Sequence, residues 1–100
     1  MVELTHYPIS QWQEEERPRE KLLLKGKSAL LNQELLAILI GSGTPKVSAV
    51  DLCAQILGYV NNDLTQLGKL SVQDLQKFKG IGEAKAISIV ASMELGRRRQ

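Results

Sequence analysis

The chain has 100 residues, of which 43% are hydrophobic and 24% are charged, so its size and composition fit one globular domain with one core. Thirteen Lys and Arg against eleven Asp and Glu give a net charge of +2, which by itself predicts no partner. The single cysteine excludes an intramolecular disulfide and a multi-cysteine zinc site, and the single histidine argues against a metal centre built on several histidines, so we expect neither catalysis nor a cofactor from this chain.

The N-terminal segment is predicted to be an arm outside the main domain. Residues 1–18 are mostly polar, and a capping-box spacing within them predicts one short helix that Pro18 ends. Pro18 can also begin the next helix, over residues 19–25, which Gly26 ends. We therefore expect an arm over residues 1–18 and one helical domain over residues 19–100.

Two helices are predicted in the middle of the chain. Asn32 is a favourable N-cap for a helix over residues 33–40. Ser48 has an aspartate three residues later, as in a capping box, and opens a helix that Gly58 and Asn61-Asn62 are expected to close. Cys53 stands among the apolar residues of this helix, so we expect it to be a buried small hydrophobe and not a reactive thiol.

The remaining elements are also predicted to be helical. A short turn of helix is expected over residues 64–67, and Ser71, again with an aspartate three residues later, opens a helix over residues 72–78. The last helix is expected over residues 83–98. Since no stretch alternates between apolar and polar residues, the predicted fold class is all-α, with five to six short helices.

The chain contains an internal repeat. Leu-x-x-Leu-x-Gly-x-Gly at residues 36–43 matches Leu-x-x-Phe-x-Gly-x-Gly at residues 75–82. After the second glycine, Ala-x-x-Leu at residues 49–52 corresponds to Ala-x-x-Ile at residues 86–89, with a slip of two positions. Two copies of a helix–turn–helix unit, the first with two extra residues in its turn, explain the pattern most simply; chance similarity between leucine-rich helices is the alternative.

The second copy has the residues of an anion site. Gly80 and Gly82 permit backbone angles and approaches that are closed to other residues, and Ile81 between them is expected to turn inward. Backbone N–H groups at the start of the last helix favour an anion, and Lys79 and Lys85 are close enough in sequence to add positive charge. A DNA phosphate fits this chemistry, and phosphate contacts carry no preference for base sequence. The alternative is a plain helical hairpin that needs glycine for its turn and binds nothing.

The first copy is a weaker candidate. Ser42 stands between Gly41 and Gly43 where the second copy has an isoleucine, and Lys46 is the only nearby cation. We expect this hairpin to be structural, with a secondary DNA contact as the alternative.

Positive charge is concentrated at the C-terminal end of the chain. Residues 77–100 carry six Lys and Arg against two Glu, whereas the two signs balance within residues 1–50. Arg97 and Arg98 are therefore further candidates for a secondary DNA contact. The alternative is that they complement the negative end of the last helix or belong to a linker.

The second copy resembles the helix-hairpin-helix motif of proteins that bind DNA without sequence specificity. That motif has a Gly-hydrophobic-Gly turn followed by a small residue, and Gly80-Ile81-Gly82 with Ala86 matches it. The resemblance implies a tandem pair of hairpins, the first one degenerate, in a compact bundle similar to SAM domains and to domain 2 of RuvA.

A longer resemblance, from residue 17 to residue 98, is to the N-terminal domain of the RadC family. The matching segments are Arg17-Pro18-Arg19-Glu20-Lys21-Leu22-Leu23, Asn32 to Thr44, Gly80-Ile81-Gly82-x-x-Lys85-Ala86 and Glu94-Leu95-x-Arg97-Arg98. The family takes its name from a proposed role in bacterial DNA repair, and its members continue into a JAMM-type metallohydrolase-like domain with a His-x-His and Asp zinc site. The resemblance implies that this chain is the N-terminal part of such a protein, without the domain that would hold zinc.

The expected function is that of a non-catalytic accessory domain that binds DNA weakly through its phosphate backbone. The chain has no apolar run of about 18 residues and no signal-peptide pattern, so we expect a cytoplasmic bacterial protein with no membrane partner. The alternative function is a protein-interaction or packing module that docks on the metallohydrolase-like domain or on a partner protein. Only DNA binding should depend on the charge of Lys85.

Overall fold

The computed structural model describes residues 17–99 of the chain. Within that range the chain forms six α-helices and one turn of 3-10 helix and contains no strand, which confirms the all-α prediction. The elements are α1 over residues 17–25, a 3-10 turn at Lys27–Ala29, α2 (Asn32–Ile40), α3 (Ala49–Tyr59), α4 (Leu64–Leu67), α5 (Val72–Leu75) and α6 (Glu83–Arg99). The helix predicted within the N-terminal arm lies outside the described residues.

Helix α1 starts earlier than predicted. Its described part already includes Arg17 and Pro18, so the prediction of a start at residue 19 was wrong. Pro18 is buried and shares a small cleft with residues of α2 and α3, and this packing explains why the helical part of the domain includes it. Gly26 ends α1 as predicted, with a φ of 90° and its N–H donating to the Leu22 carbonyl over 2.9 Å.

The start of α2 differs from the prediction. Asn32 is not the N-cap but the first helical residue, and Leu31 precedes the helix. The Glu34 carboxylate accepts a hydrogen bond from the Leu31 N–H over 2.8 Å and lies 3.2 Å from the Lys21 ammonium of α1. The amide of Asn32 instead donates to Asn62 over 3.3 Å. The Glu34 carboxylate thus supplies the half of a capping box that accepts from the N–H of the residue before the helix, and its contact with Lys21 ties α1 to α2.

The contacts of Glu34 predict an acid-sensitive part of the stability. The hydrogen bond from the Leu31 N–H, followed by the Lys21 ammonium, holds the pKa of Glu34 below its ordinary value of 4.5. A carboxyl whose pKa is lower in the folded chain stabilises the fold above its unfolded pKa, and this contribution is lost as pH falls through the lower folded value. We therefore expect the Tm of the wild type to fall as the pH drops below 4.5, the ordinary pKa of this carboxyl, and the Tm of Glu34→Gln to fall less.

Thermal unfolding followed by circular dichroism across this pH range, at constant ionic strength, measures the difference. The two proteins should converge in Tm at low pH, because protonated Glu34 and glutamine are both neutral. A gap between them that stays constant with pH would contradict the role assigned to the Glu34 carboxylate.

Helix α3 does not end at Gly58, one of the residues that were predicted to close it. It continues through Gly58 to Tyr59, and the chain then turns at Asn61 and Asn62, whose φ angles are 55° and 58°. A glycine inside a helix costs only about 0.5–1 kcal/mol relative to alanine, which is too little to end a helix whose other side is buried. The closing role predicted for the two asparagines is confirmed.

Side chains cap the starts of α3, α4 and α5. The Ser48 hydroxyl accepts from an N–H in the first turn of α3 over 3.2 Å, and the Asp63 carboxylate does the same for α4 over 2.9 Å. Ser71 and Asp74 form the predicted capping box at α5, each side chain accepting from the other residue's N–H. These caps satisfy N–H groups that have no partner within their own helix.

Helix α5 is shorter than predicted. It ends at Leu75, and the chain continues through tight turns in which the N–H groups of Lys77 and Phe78 donate to carbonyls three residues earlier, over 3.2 and 3.1 Å. The predicted end at Phe78 was wrong, because after Gln76 the N–H groups donate to carbonyls three residues earlier, as in a 3-10 turn, and no longer to carbonyls four residues earlier.

The core lies between the two helix–turn–helix units. Helix α2 packs against α3, α5 packs against α6, and α2 also contacts α6. The largest fully buried side chains are Leu52, Cys53, Ile56, Leu67, Leu75 and Ile89. Cys53 is buried as predicted, and burial raises the pKa of its thiol to about 12. None of the described helices is long and apolar enough to cross a membrane.

Candidate nucleic-acid interface

The second glycine turn joins α5 to α6. Gly80 has a φ of 101°, a backbone conformation that residues with a side chain rarely adopt. The Ile81 N–H donates to the Phe78 carbonyl over 3.0 Å. The Ile81 side chain is buried in the core, with 4% of its surface exposed, so the prediction that it turns inward is confirmed. The isoleucine thus holds the turn to the core from the inside.

Gly80 is also the point where the two turns touch. A Cβ at this position would lie 2.6 Å from the Thr44 methyl carbon of the first turn and 3.1 Å from a Leu52 methyl carbon of α3. Both its φ angle and this close approach therefore require glycine.

Gly82 has no comparable structural requirement. Its φ is not positive, and a Cβ built there would meet no atom within 4 Å. Gly82 immediately precedes α6 and is exposed, and its carbonyl accepts the first helical hydrogen bond from the Ala86 N–H over 3.0 Å. The space outside the backbone at this point is open.

The start of α6 differs from the starts of α3, α4 and α5. Among the described residues, no side chain or carbonyl accepts from the N–H groups of residues 82–85, whereas each of the other three helices has a side-chain cap. Such N–H groups, together with the positive end of the helix dipole, form an environment that favours an anion. Glu83 is exposed here and is the carboxylate nearest in sequence to this turn.

The two predicted lysines lie in different environments. The Lys85 ammonium donates to the carbonyl of Ser42 over 2.7 Å, so it links the second unit to the first glycine turn. An ammonium has three donors, and two remain for other acceptors. Lys79 is exposed and makes no ion pair or side-chain hydrogen bond within residues 17–99.

The first glycine turn is closed by its own chain. Gly41 has a φ of 80°, matching Gly80 in the repeat. The Thr44 N–H donates to the Val47 carbonyl over 2.8 Å, while the Thr44 hydroxyl accepts from the Val47 N–H over 2.9 Å. A Cβ at Gly43 would overlap the Val47 carbonyl oxygen and the backbone at the start of α3. Gly43 therefore serves local packing, which favours the structural interpretation of this hairpin.

Of the six residues predicted as secondary contacts, all but Gly43 are exposed. Lys46 is exposed in the loop closed by Thr44, and Arg97 and Arg98 are exposed near the end of α6. Both arginines bind the carboxylate of Glu94, with N–O distances of 2.8 Å, and these hydrogen bonds lower its pKa to about 2. At a rise of about 1.5 Å per residue, Arg97 lies roughly 20 Å along α6 from the glycine turn, so the two do not share one phosphate.

Sequence reasoning missed the connection between the two units. Lys85 and Ser42 are 43 residues apart, and the acceptor is a backbone carbonyl, which every residue has. The Thr-Pro dipeptide after Gly43 was the only available signal of a closed loop that brings Thr44 against the second turn.

Known proteins similar to this chain were found by family and by sequence. The family model described as UPF0758 N-terminal matches residues 9–87, so it includes residues 9–16, which the resemblance from residue 17 onwards left out. A UPF0758 protein of Flavobacterium johnsoniae is 58% identical over 99 residues, covering 99% of this chain and 43% of that protein.

Two other curated relatives give the same family name. A UPF0758 protein of Porphyromonas gingivalis is 46% identical over 91 residues, covering 90% of this chain and 40% of that protein. A UPF0758 protein of Alkaliphilus metalliredigens is 48% identical over 83 residues, covering 83% of this chain and 36% of that protein. The chain thus spans less than half the length of these relatives, and no solved structure matches it. The family model matches residues 9–87, which is more than half of the chain and includes both glycine turns and the start of α6, so the chain belongs to the UPF0758 N-terminal family.

Proposed function

We propose that this chain is a non-catalytic accessory domain that binds DNA through its phosphate backbone, without sequence preference, in the bacterial cytoplasm. The observation that carries the proposal is the open start of α6, where Gly82 leaves space outside the backbone and no described group accepts from the N–H groups of residues 82–85. In this proposal the chain itself neither catalyses a reaction nor holds a cofactor. Its resemblance to the RadC family assigns zinc chemistry to a separate C-terminal domain.

A phosphate at this position would meet three kinds of donor. The N–H groups at the start of α6 point along the helix axis, towards the end where the dipole is positive. The Lys85 ammonium has two donors left beside the Ser42 carbonyl, and Lys79 precedes the turn and is exposed. The resemblance to the helix-hairpin-helix motif supports the same assignment for Gly80, Ile81 and Gly82.

The first turn offers a second contact at the same edge of the molecule. The close approach of Thr44 to Gly80 places the loop that carries Lys46 beside the second turn. A DNA backbone lying along this edge would pass both turns. Two or three phosphate contacts predict a Kd of roughly 10⁻⁴ to 10⁻⁶ M at physiological salt, and a slope of log K against log salt of about −2 to −3.

The direct test of this proposal is Gly82→Ala. A Cβ at this position fits the fold but occupies the space that a phosphate would need, so we expect DNA affinity to fall about tenfold while stability changes by no more than about 1 kcal/mol. Fluorescence anisotropy with a labelled short duplex measures the affinity. Gly58→Ala is the matched control, because its Cβ also meets nothing within 4 Å but lies on α3. Equal affinity of Gly82→Ala and Gly58→Ala for the duplex would overturn the proposal.

A second candidate function is docking on another protein domain. Leu23 and Leu24 are 81% and 80% exposed and Leu31 is 59% exposed, so the described residues, 17–99, leave three leucines uncovered around the junction of α1 and α2. Exposed apolar clusters mark interaction surfaces. The first partner to consider is the part of the longer relatives that lies outside their match to this chain. If this is the function, Leu24→Asp should abolish binding of this domain to that part in a pull-down assay, whereas Gly82→Ala should leave it unchanged.

A further inference from the structure

Two aromatic rings meet beside the second glycine turn. Tyr59 is the last residue of α3 and is 69% exposed. Its ring centroid lies 5.7 Å from that of Phe78, and the planes cross at 83°, an edge-to-face arrangement. Phe78 packs partly against the core, so it fixes the position of an exposed ring.

These rings border a cleft of about 180 Å³. Asp74 and Lys77 complete its lining. Pockets for drug-sized ligands occupy about 300–1,000 Å³, so this cleft is suited to something smaller, such as one flat ring system.

The charges in the cleft argue against a phosphate as its occupant. Asp74 and Lys77 contribute one negative and one positive charge, so the lining has no net formal charge. An aromatic wall with both a hydrogen-bond acceptor and a donor at its edge suits a neutral, planar, polar ring, and nucleobases stack on such side chains whatever their sequence.

The position of the cleft connects it to DNA. Phe78 is followed directly by Lys79, whose Cα is about 3.8 Å away, and then by the glycine turn. We propose that the cleft bordered by Tyr59 and Phe78 binds an unpaired nucleobase, stacked on the exposed side of this aromatic pair, whose neighbouring phosphate lies at the second glycine turn. This inference rests on the proposed DNA binding, and it implies a preference for DNA with unpaired bases over a fully paired duplex.

The test compares single-stranded oligonucleotides that have the same phosphates but differ in their bases. One carries bases throughout and the other is abasic at its central positions. We expect the chain to bind the abasic form at least about fivefold more weakly, and Tyr59→Ala to weaken binding of the base-containing form by a similar factor. In Tyr59→Ala the two oligonucleotides should bind alike. Tyr59→Phe keeps the ring and should retain the preference.

Two controls separate a lost site from a damaged fold. Leu95→Ala removes another large side chain, 71% exposed on α6, and should leave both affinities unchanged. Binding of a fully paired duplex should be equal in wild type and Tyr59→Ala, because a duplex offers the cleft no base.

The outcomes distinguish the two proposals. Equal binding of the base-containing and abasic forms by wild type, with duplex binding still weakened by Gly82→Ala, would overturn the nucleobase site alone. A preference for bases that depends on Tyr59, with no effect of Gly82→Ala on the duplex, would support the nucleobase site but overturn the phosphate site, and with it the placement of the neighbouring phosphate at the turn. Absence of binding to every oligonucleotide would overturn both.

Discussion

Gly43→Ala is expected to destabilise the domain by at least about 3 kcal/mol, a large part of the stability of a domain this size. The added Cβ would overlap the Val47 carbonyl oxygen and the backbone where α3 begins, and these are atoms that cannot rotate away as the end of a flexible side chain can. The overlap would also disturb the Thr44–Val47 hydrogen bonds that close the first turn.

Gly82→Ala is the natural comparison, since Gly82 occupies the same position in the second copy of the repeat. A Cβ there meets nothing within 4 Å, so its unfolding free energy should lie within about 1 kcal/mol of wild type. Urea unfolding followed by circular dichroism measures all the variants, with Gly58→Ala, in open space on α3, expected to be about 0.5–1 kcal/mol more stable. Equal losses of stability for Gly43→Ala and Gly82→Ala would contradict the difference in packing around these two glycines.

Lys79→Glu is expected to weaken duplex binding at least about tenfold at low salt and to reduce the salt slope by about one. Lys79 is exposed beside the glycine turn and has no ion-pair partner within residues 17–99, so reversing its charge should leave the fold intact. Lys85→Glu is less informative than the sequence suggests. It would also break the hydrogen bond to the Ser42 carbonyl and place a carboxylate against that oxygen.

Lys69→Glu is the matched control for Lys79→Glu, because it changes the net charge by the same amount. Lys69 is exposed in the connection between α4 and α5, next to Gly68, whose neighbour across the fold is Met93. Met93 is ten residues along α6 from Glu83, roughly 15 Å from the proposed phosphate site. Equal effects of the two substitutions on the Kd would mean that only the overall charge matters and that the glycine turn is not the contact.

Local signals predicted the elements and the shapes of the turns. Ser48 and Ser71 cap the helices that they were expected to open, and Ile81 is buried between two glycines. The helix boundaries that were predicted wrongly were decided by other interactions nearby. Leu31, whose N–H donates to the Glu34 carboxylate, precedes α2 in place of Asn32, and the burial of α3 outweighed the small cost of Gly58.

Contacts between distant parts of the chain could not be predicted. Gly43 and Gly82 have the same place in the repeat, yet only the extra loop residues after Gly43 fold back onto it. The hydrogen bond from Lys85 to Ser42 and the edge-to-face pair of Tyr59 with Phe78 depend on how the two units pack. No residue type or spacing marks such contacts in a single sequence.

The most direct test of DNA binding at the second turn is an amide NMR titration of this domain with a short duplex at about 50 and about 200 mM salt. We predict chemical-shift changes concentrated at Gly82, Glu83 and Ala84, with an apparent affinity that falls at the higher salt. Changes that are absent at both salt concentrations, or that spread evenly over exposed lysines with none at the start of α6, would contradict the account.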